Sequence, residues 1–68
     1  MDINEAKTAI KSRTLVGISN VDANSCYYLF STGYLVGEIK HRDRILFVFT
    51  DRWKEMSVMR PASEFVFV

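Results

Sequence analysis

The chain has only one cysteine, one proline and one histidine among its 68 residues. Cys26 alone cannot form a disulfide within the chain, whereas a secreted domain of this length usually needs several disulfides because its core is small. The longest apolar runs have five residues, and a membrane-spanning helix needs about 20. The first residues carry no basic segment followed by an apolar one, which is the pattern of a secretory signal. We therefore expect a cytoplasmic protein.

No charge of one sign dominates the sequence. Nine basic and eight acidic residues give a formal net charge of +1, which excludes a strongly cationic arm and an acidic tail. Apolar and aromatic residues make up 49% of the chain, a content too high for a segment that is disordered by composition. Length and composition together predict one small globular domain that covers residues 1–68.

Residue types that perform catalysis are sparse and have no motif around them. His41 lies in a predicted turn, and Cys26 lies in a predicted apolar strand, where a free cysteine is usually a small buried hydrophobic residue. A structural zinc site needs four ligands, while the chain has two residues of the Cys and His types. It also has no P-loop and no GxGxxG motif. We expect a non-catalytic protein without cofactor or metal; an oligomeric enzyme with a shared active site is the least favoured alternative.

The first dozen residues have the pattern of an amphipathic helix. Asp2 and Glu5 have the spacing of a capping box at a helix start. The apolar residues that follow recur at helical spacing: Ile3, Ala6 and Ile10. The pattern predicts a helix over 3–12, which must dock on an apolar surface because a helix of this length is marginal alone in water.

After the helix, β-branched and aromatic residues alternate with polar turn formers. The predicted strands are 14–19, 25–31, 34–40, 45–50, 55–60 and 64–68. The tripeptide Ser31-Thr32-Gly33 has the composition of a tight turn between the second and third of these strands. Because short connections join antiparallel neighbours, we expect a mainly β (α+β) domain with an N-terminal helix and five or six antiparallel strands.

Part of this pattern resembles the second half of an SH3-like barrel. In that family a Gly-bearing strand, here 33–39, pairs with an apolar strand, here 45–49, and a 3₁₀ turn that often carries proline leads into the last strand. Pro61-Ala62-Ser63 stands where that turn would fall. A leading helix followed by strands is also similar to the Sm-like barrel, but the RNA-binding signature of that family is not found here. The resemblance implies a small barrel; a helix packed on an open antiparallel sheet is the alternative.

Three of the predicted strands are apolar on both faces, namely 25–31, 45–50 and 64–68. A small barrel has one interior, and a ten-residue helix with three apolar contacts cannot cover all the remaining surface. Large apolar patches are rarely left exposed, so we expect another chain to cover part of this surface. The last strand would also be a template for pairing with another chain if it lies at a sheet edge.

These features favour a protein–protein interaction module that forms a homo-oligomer or binds another protein. Small, cysteine-poor proteins of this kind are frequent in phage and mobile elements, where they can inhibit a host protein. Trp, Tyr and Arg are enriched at binding hot spots. The candidate interaction residues are Tyr27, Tyr34, Arg52, Trp53, Phe65 and Phe67.

A small nucleic-acid-binding barrel is the alternative function. Five basic residues lie within one window of 15 residues, in two successive predicted turns: Lys40, Arg42, Arg44, Arg52 and Lys54. Tyrosines near them could stack on bases. The pI of about 7.9 is low for a dedicated nucleic-acid domain, so this function ranks second.

Overall fold

A computed structural model describes the backbone of residues 1–21, 28–55 and 57–68, and the side chains of residues 1–18, 32–55 and 57–68. It contains one α-helix and five strands, as the sequence predicts. The elements are α1 (Ile3–Ser12), β1 (Val16–Val21), β2 (Tyr28–His41), β3 (Arg44–Asp51), β4 (Ser57–Pro61), a 3₁₀ turn (Ala62–Glu64) and β5 (Phe65–Phe67).

Helix α1 begins at the predicted capping box. The Asp2 carboxylate accepts a hydrogen bond of 2.7 Å from the Glu5 backbone N–H, and the Glu5 carboxylate accepts one of 3.1 Å from the Asp2 backbone N–H. These bonds satisfy backbone donors that a helix start leaves without partners. The helix ends at Arg13, which adopts a left-handed conformation with φ of 52° and donates its backbone N–H to the Ala9 carbonyl.

The five strands form one antiparallel sheet in the order β4-β3-β2-β1-β5. The 3₁₀ turn, which Pro61 precedes, carries the chain from one edge strand, β4, to the opposite edge strand, β5. Within the part of the chain that the structure describes, no ladder joins β4 to β5, so the sheet is open. The open-sheet alternative therefore describes this chain better than a closed barrel, while the predicted turn at Pro61 is present.

The predicted turn at 31–33 between strands 25–31 and 34–40 is wrong. The chain runs through this segment as one continuous strand, β2, and residues 25–27 lie outside the described residues. Gly33 is the point where β2 changes partners, because it lies opposite both Val16 of β1 and Asp51 of β3. The ends of the other predicted strands differ from the structure by one or two residues.

Close approach of two backbones, and not a turn, accounts for the glycine at position 33. A Cβ atom there would lie 2.7 Å from the Asp51 Cα atom and 2.8 Å from the Phe49 ring, and would also meet the Thr50 carbonyl oxygen. Gly37 differs, because a Cβ atom there would have no neighbour within 4 Å. It follows a register shift between Leu35 and Gly37, which leaves Val36 as a bulge in the ladder with β3.

One apolar cluster joins the helix to the inner face of the sheet. Its largest side chains come from β2, β3 and β5, and the rings of Phe49 and Phe65 stack with centroids 5.7 Å apart. Helix α1 contributes two small buried residues, Ala6 and Ala9, which let it approach the sheet closely. The buried members are Ala6, Ala9, Val16, Ile18, Leu35, Phe47, Phe49, Ala62 and Phe65.

Two glycine variants test the close approach of β2 and β3. We expect Gly33→Ala to lower the free energy of unfolding by about 2 kcal/mol or more, because the added methyl group overlaps backbone atoms. Gly37→Ala is the matched control and should be neutral or stabilise the fold by up to about 1 kcal/mol, because it only restricts the unfolded chain. Urea denaturation measures both; equal effects of the two substitutions would contradict this reading of Gly33.

Candidate functional site

The two edge strands leave backbone hydrogen-bonding groups without a neighbouring strand. Within the described residues, β4 pairs only with β3, and β5 pairs only with β1. Part of the β5 edge is already occupied, because the Phe65 N–H donates to the Ala62 carbonyl and the Phe65 carbonyl accepts from the Met1 ammonium group at 2.7 Å. Apolar side chains accompany both edges: Met59 on β4 is 53% exposed, and Val66 and Phe67 on β5 are 43% and 48% exposed. An exposed apolar edge is a template for pairing with another strand.

The outer face of the sheet carries an apolar surface next to the β4 edge. Leu46 of β3 lies opposite Ile39 of β2 on one side and Pro61 of β4 on the other, and Val48 lies opposite Met59. Leu46 and Val48 are half-buried, while Ile39 and Met59 are exposed. The buried residues of α1 belong to the cluster on the inner face, so the helix does not cover this outer surface.

The predicted interaction residues do not form one surface. Phe65 is fully buried and stacks on Phe49, so it belongs to the core, whereas Phe67 is half-exposed at the β5 edge. Tyr34 is an exposed residue of β2. Tyr27 lies outside the described residues.

Arg52 and Trp53, the other two predicted interaction residues, are presented by the turn after β3. The buried Asp51 carboxylate accepts a hydrogen bond of 2.6 Å from the Glu55 backbone N–H, and the Asp51 carbonyl accepts one of 3.1 Å from the Lys54 backbone N–H. The Arg52 guanidinium carbon lies 5.5 Å from the centroid of the Trp53 ring, a cation–π distance. The turn thus presents an exposed indole with a cation beside it.

The basic residues predicted to bind nucleic acid fall at opposite ends of β3. Lys40, Arg42 and Arg44 belong to the exposed hairpin between β2 and β3, while Arg52 and Lys54 follow the far end of β3. The eight residues of β3 span about 24 Å, at roughly 3.4 Å for each step along an antiparallel strand. The two turns therefore do not form one compact basic patch.

The structure instead places Lys54 at one cavity with a basic residue that the sequence pattern did not indicate. Arg13, at the end of α1, lines the same cavity, which has a volume of about 660 Å³. Arg13 precedes the basic window by many residues, so no local count could connect it to Lys54. The residues that line the cavity are Ile10, Arg13, Tyr34, Leu35, Val36 and Lys54.

No group of three or more His, Cys, Asp or Glu side chains in residues 1–21, 28–55 and 57–68 is arranged to hold a metal ion. No helix in the same ranges has the length and apolar content required to cross a membrane.

Comparisons with known proteins leave the chain without an assigned family. No protein-family model matches it, and neither the curated proteins nor the solved structures include a significant match.

Removing the Asp51 carboxylate tests its role in the turn. We expect Asp51→Ala to lower the free energy of unfolding by about 1–3 kcal/mol, because the Glu55 N–H loses its acceptor in a partly buried position. Glu38→Ala, at an exposed position of β2, is the control and should stay within about 0.5 kcal/mol. Trp53 is the only tryptophan, so its fluorescence follows the turn directly; an unchanged emission spectrum and stability in Asp51→Ala would contradict this role.

Proposed function

We propose that this chain is a non-catalytic interaction module that assembles with copies of itself through the two edges of its sheet. The observation that carries the proposal is the pair of edge strands, each with a neighbour on one side only within the described residues, and their exposed apolar side chains, Met59 on β4 and Val66 and Phe67 on β5. Backbone groups at these edges gain hydrogen-bond partners, and the apolar side chains leave water, when a second copy binds.

The position of the two edges favours a head-to-tail arrangement. β4 and β5 lie at opposite ends of the strand order, so β5 of one copy placed beside β4 of the next would continue the sheet across the contact. A contact between two different surfaces repeats from copy to copy, and it produces a ring when the rotation closes or a filament when it does not. The apolar outer face next to β4 would then lie beside the contact.

The charges at the two edges support pairing. Natural sheets protect exposed edges with charged side chains, lysine above all. β5 has no charged residue, and the only charged residue of β4 is Arg60. Its guanidinium donates to the Glu64 carboxylate at 2.7 and 2.9 Å. Arg60 is therefore already paired within the chain. The Met1 ammonium group lies at the β5 edge and donates to the Phe65 carbonyl at 2.7 Å, so these charges at both edges have partners within one copy.

Membership in the SH3-like or Sm-like barrels is part of the same proposal. The succession of a helix, antiparallel strands and a 3₁₀ turn before the last strand supports it. A contact between β4 and β5 of different copies would supply the strand pairing that is missing within one copy. The proposed compartment is the cytoplasm, since Cys26 has no partner for a disulfide within the chain.

A lysine at the β5 edge should separate the copies. Val66→Lys places a charge within the proposed contact, so we expect sedimentation at micromolar concentration to show an oligomer for the unmodified chain and a monomer for the variant. Ile39→Lys is the matched control. Ile39 is exposed to the same extent as Val66, 42% against 43%, but it lies on the interior strand β2. The control should stay oligomeric.

The two variants distinguish the edge from the outer face. Dissociation by Ile39→Lys but not by Val66→Lys would place the contact on the outer face and contradict edge pairing. A monomeric unmodified chain would contradict self-assembly altogether. Circular dichroism of both variants establishes that the fold is retained, which we expect because both side chains are exposed.

A further inference from the structure

The cavity between the end of α1 and the turn after β3 has the composition of a site for a phosphorylated ring. Arg13 and Lys54 provide two cations, Tyr34 provides a partly exposed aromatic ring, and the remaining lining side chains are apolar. No side chain that the structure shows lining this cavity is acidic. We infer that the cavity binds a nucleotide, with its phosphate between Arg13 and Lys54 and its base stacked on Tyr34.

The volume and the lining residues of the cavity fit this ligand class. Its volume of about 660 Å³ lies within the range of small-molecule sites, roughly 300–1,000 Å³. Stacking on an aromatic side chain accepts any base, because every base has a π face. Paired cations bind phosphate through charge-assisted hydrogen bonds. A free nucleotide and a nucleotide within a single strand offer the same chemistry.

Backbone conformation provides an independent observation at the two cations. In the described residues, three non-glycine positions have positive φ, and all three are basic: Arg13 at 52°, Arg42 at 56° and Lys54 at 59°. Glycine would adopt this left-handed conformation without the steric cost that a Cβ atom brings. Two of these three positions line the cavity. Residues held in unfavourable conformations cluster at functional sites. A glycine at these positions would avoid the steric cost but would lack the charged side chain, so we attribute the choice of Arg13 and Lys54 to their charge.

Among the described residues, the ion pair that the structure shows joins Arg60 to Glu64 and does not involve Lys54. Asp51 is buried and its carboxylate accepts from the Glu55 backbone N–H, and Glu55 does not line the cavity. Trp53, 70% exposed in the same turn, does not line the cavity but would offer a second ring to a neighbouring base of a single strand. This second ring would make a single strand bind more tightly than a free nucleotide.

Three glycine substitutions give a test in which loss of binding cannot be explained by loss of folding. Arg13→Gly and Lys54→Gly each remove a cation from the cavity and relieve a left-handed residue, so both variants should be at least as stable as the unmodified chain. Arg42→Gly is the matched control, because it makes the same change at the hairpin between β2 and β3, at the other end of β3. Thermal unfolding of all three variants checks the stability.

Binding is measured at about 50 mM salt, where phosphate contacts are strong, by calorimetry with uridine 5′-monophosphate and by anisotropy with a labelled single-stranded oligouridylate. We expect Arg13→Gly and Lys54→Gly each to weaken binding about tenfold or more, as loss of a charge-assisted hydrogen bond does. Each should also lower the salt dependence of oligonucleotide binding by about one phosphate contact. Arg42→Gly should bind as the unmodified chain does.

The ring is tested separately from the charges. Tyr34→Phe keeps the aromatic ring and should bind normally, whereas Tyr34→Leu should lose about tenfold in affinity for both probes. Inorganic phosphate and uridine, used as partial ligands, should each bind more weakly than uridine 5′-monophosphate. An oligonucleotide that binds while the free nucleotide does not would identify the single strand as the source of the ligand.

Several results would overturn the assignment. Absence of binding to both probes at low salt would remove it, and an equal loss in Arg42→Gly would place the contact at the hairpin. Phosphate that binds as tightly as the nucleotide would exclude base stacking. An acidic peptide that competes with the nucleotide and binds equally well to Tyr34→Leu would show that the cavity recognises charge alone. The oligomeric state is measured on the same samples. A variant that loses nucleotide binding but keeps its oligomeric state then tests the cavity independently of the proposed assembly.

Discussion

The architecture depends on the close approach of β2 and β3 at Gly33. The position lies opposite Val16 of β1 and Asp51 of β3 at once, so it is the point at which one continuous strand passes from its first partner to its second. A side chain at this position would overlap the Asp51 backbone and the Phe49 ring. Because Gly33 has no side chain, the Phe49 ring can occupy the space beside it and stack on Phe65. This ring contact packs the last strand, β5, against the central strand β3.

The two uncovered edges follow from this arrangement. With β1 on one half of β2 and β3 on the other, the last strand pairs beyond β1 and β4 pairs beyond β3. The helix approaches the inner face through Ala6 and Ala9, so it closes the core and leaves the outer face of β3 and β4 uncovered. The proposed edge pairing between copies would satisfy backbone groups and remove apolar side chains from water in one contact.

The helix and the positions of most strands along the chain could be predicted from sequence because their signals are local. The pattern of Asp2 and Glu5 predicted the hydrogen bonds that begin α1, and alternation predicted most of the strands. Gly33 was misread as a turn residue because a glycine that permits a turn and one that permits a backbone contact look identical in sequence. The bulge at Val36 and the pairing of Gly33 with two strands are set by tertiary contacts, which no local pattern contains.

The candidate sites were predictable only in part, for the same reason. Trp53 and Arg52 could be named from residue type, and the structure shows that they share one turn with a cation–π contact. Phe65 and Phe67 share one face of β5, yet Phe65 is buried and Phe67 is 48% exposed, since alternation identifies a face but not how far along the strand that face is covered. Arg13 and Lys54 line one cavity only because the end of α1 lies near β2 and the turn after β3. This placement is a tertiary feature that the sequence pattern does not contain.

Hydrogen exchange of backbone amides at two protein concentrations tests the central claim, assembly through the sheet edges, most directly. Amides of β4 and β5 that have no partner within one copy should be protected at high micromolar concentration and exchange rapidly after dilution to nanomolar concentration. Amides of β2 and β3 that pair with each other should exchange at the same slow rate at both concentrations. Edge amides with exchange rates independent of concentration would contradict the account.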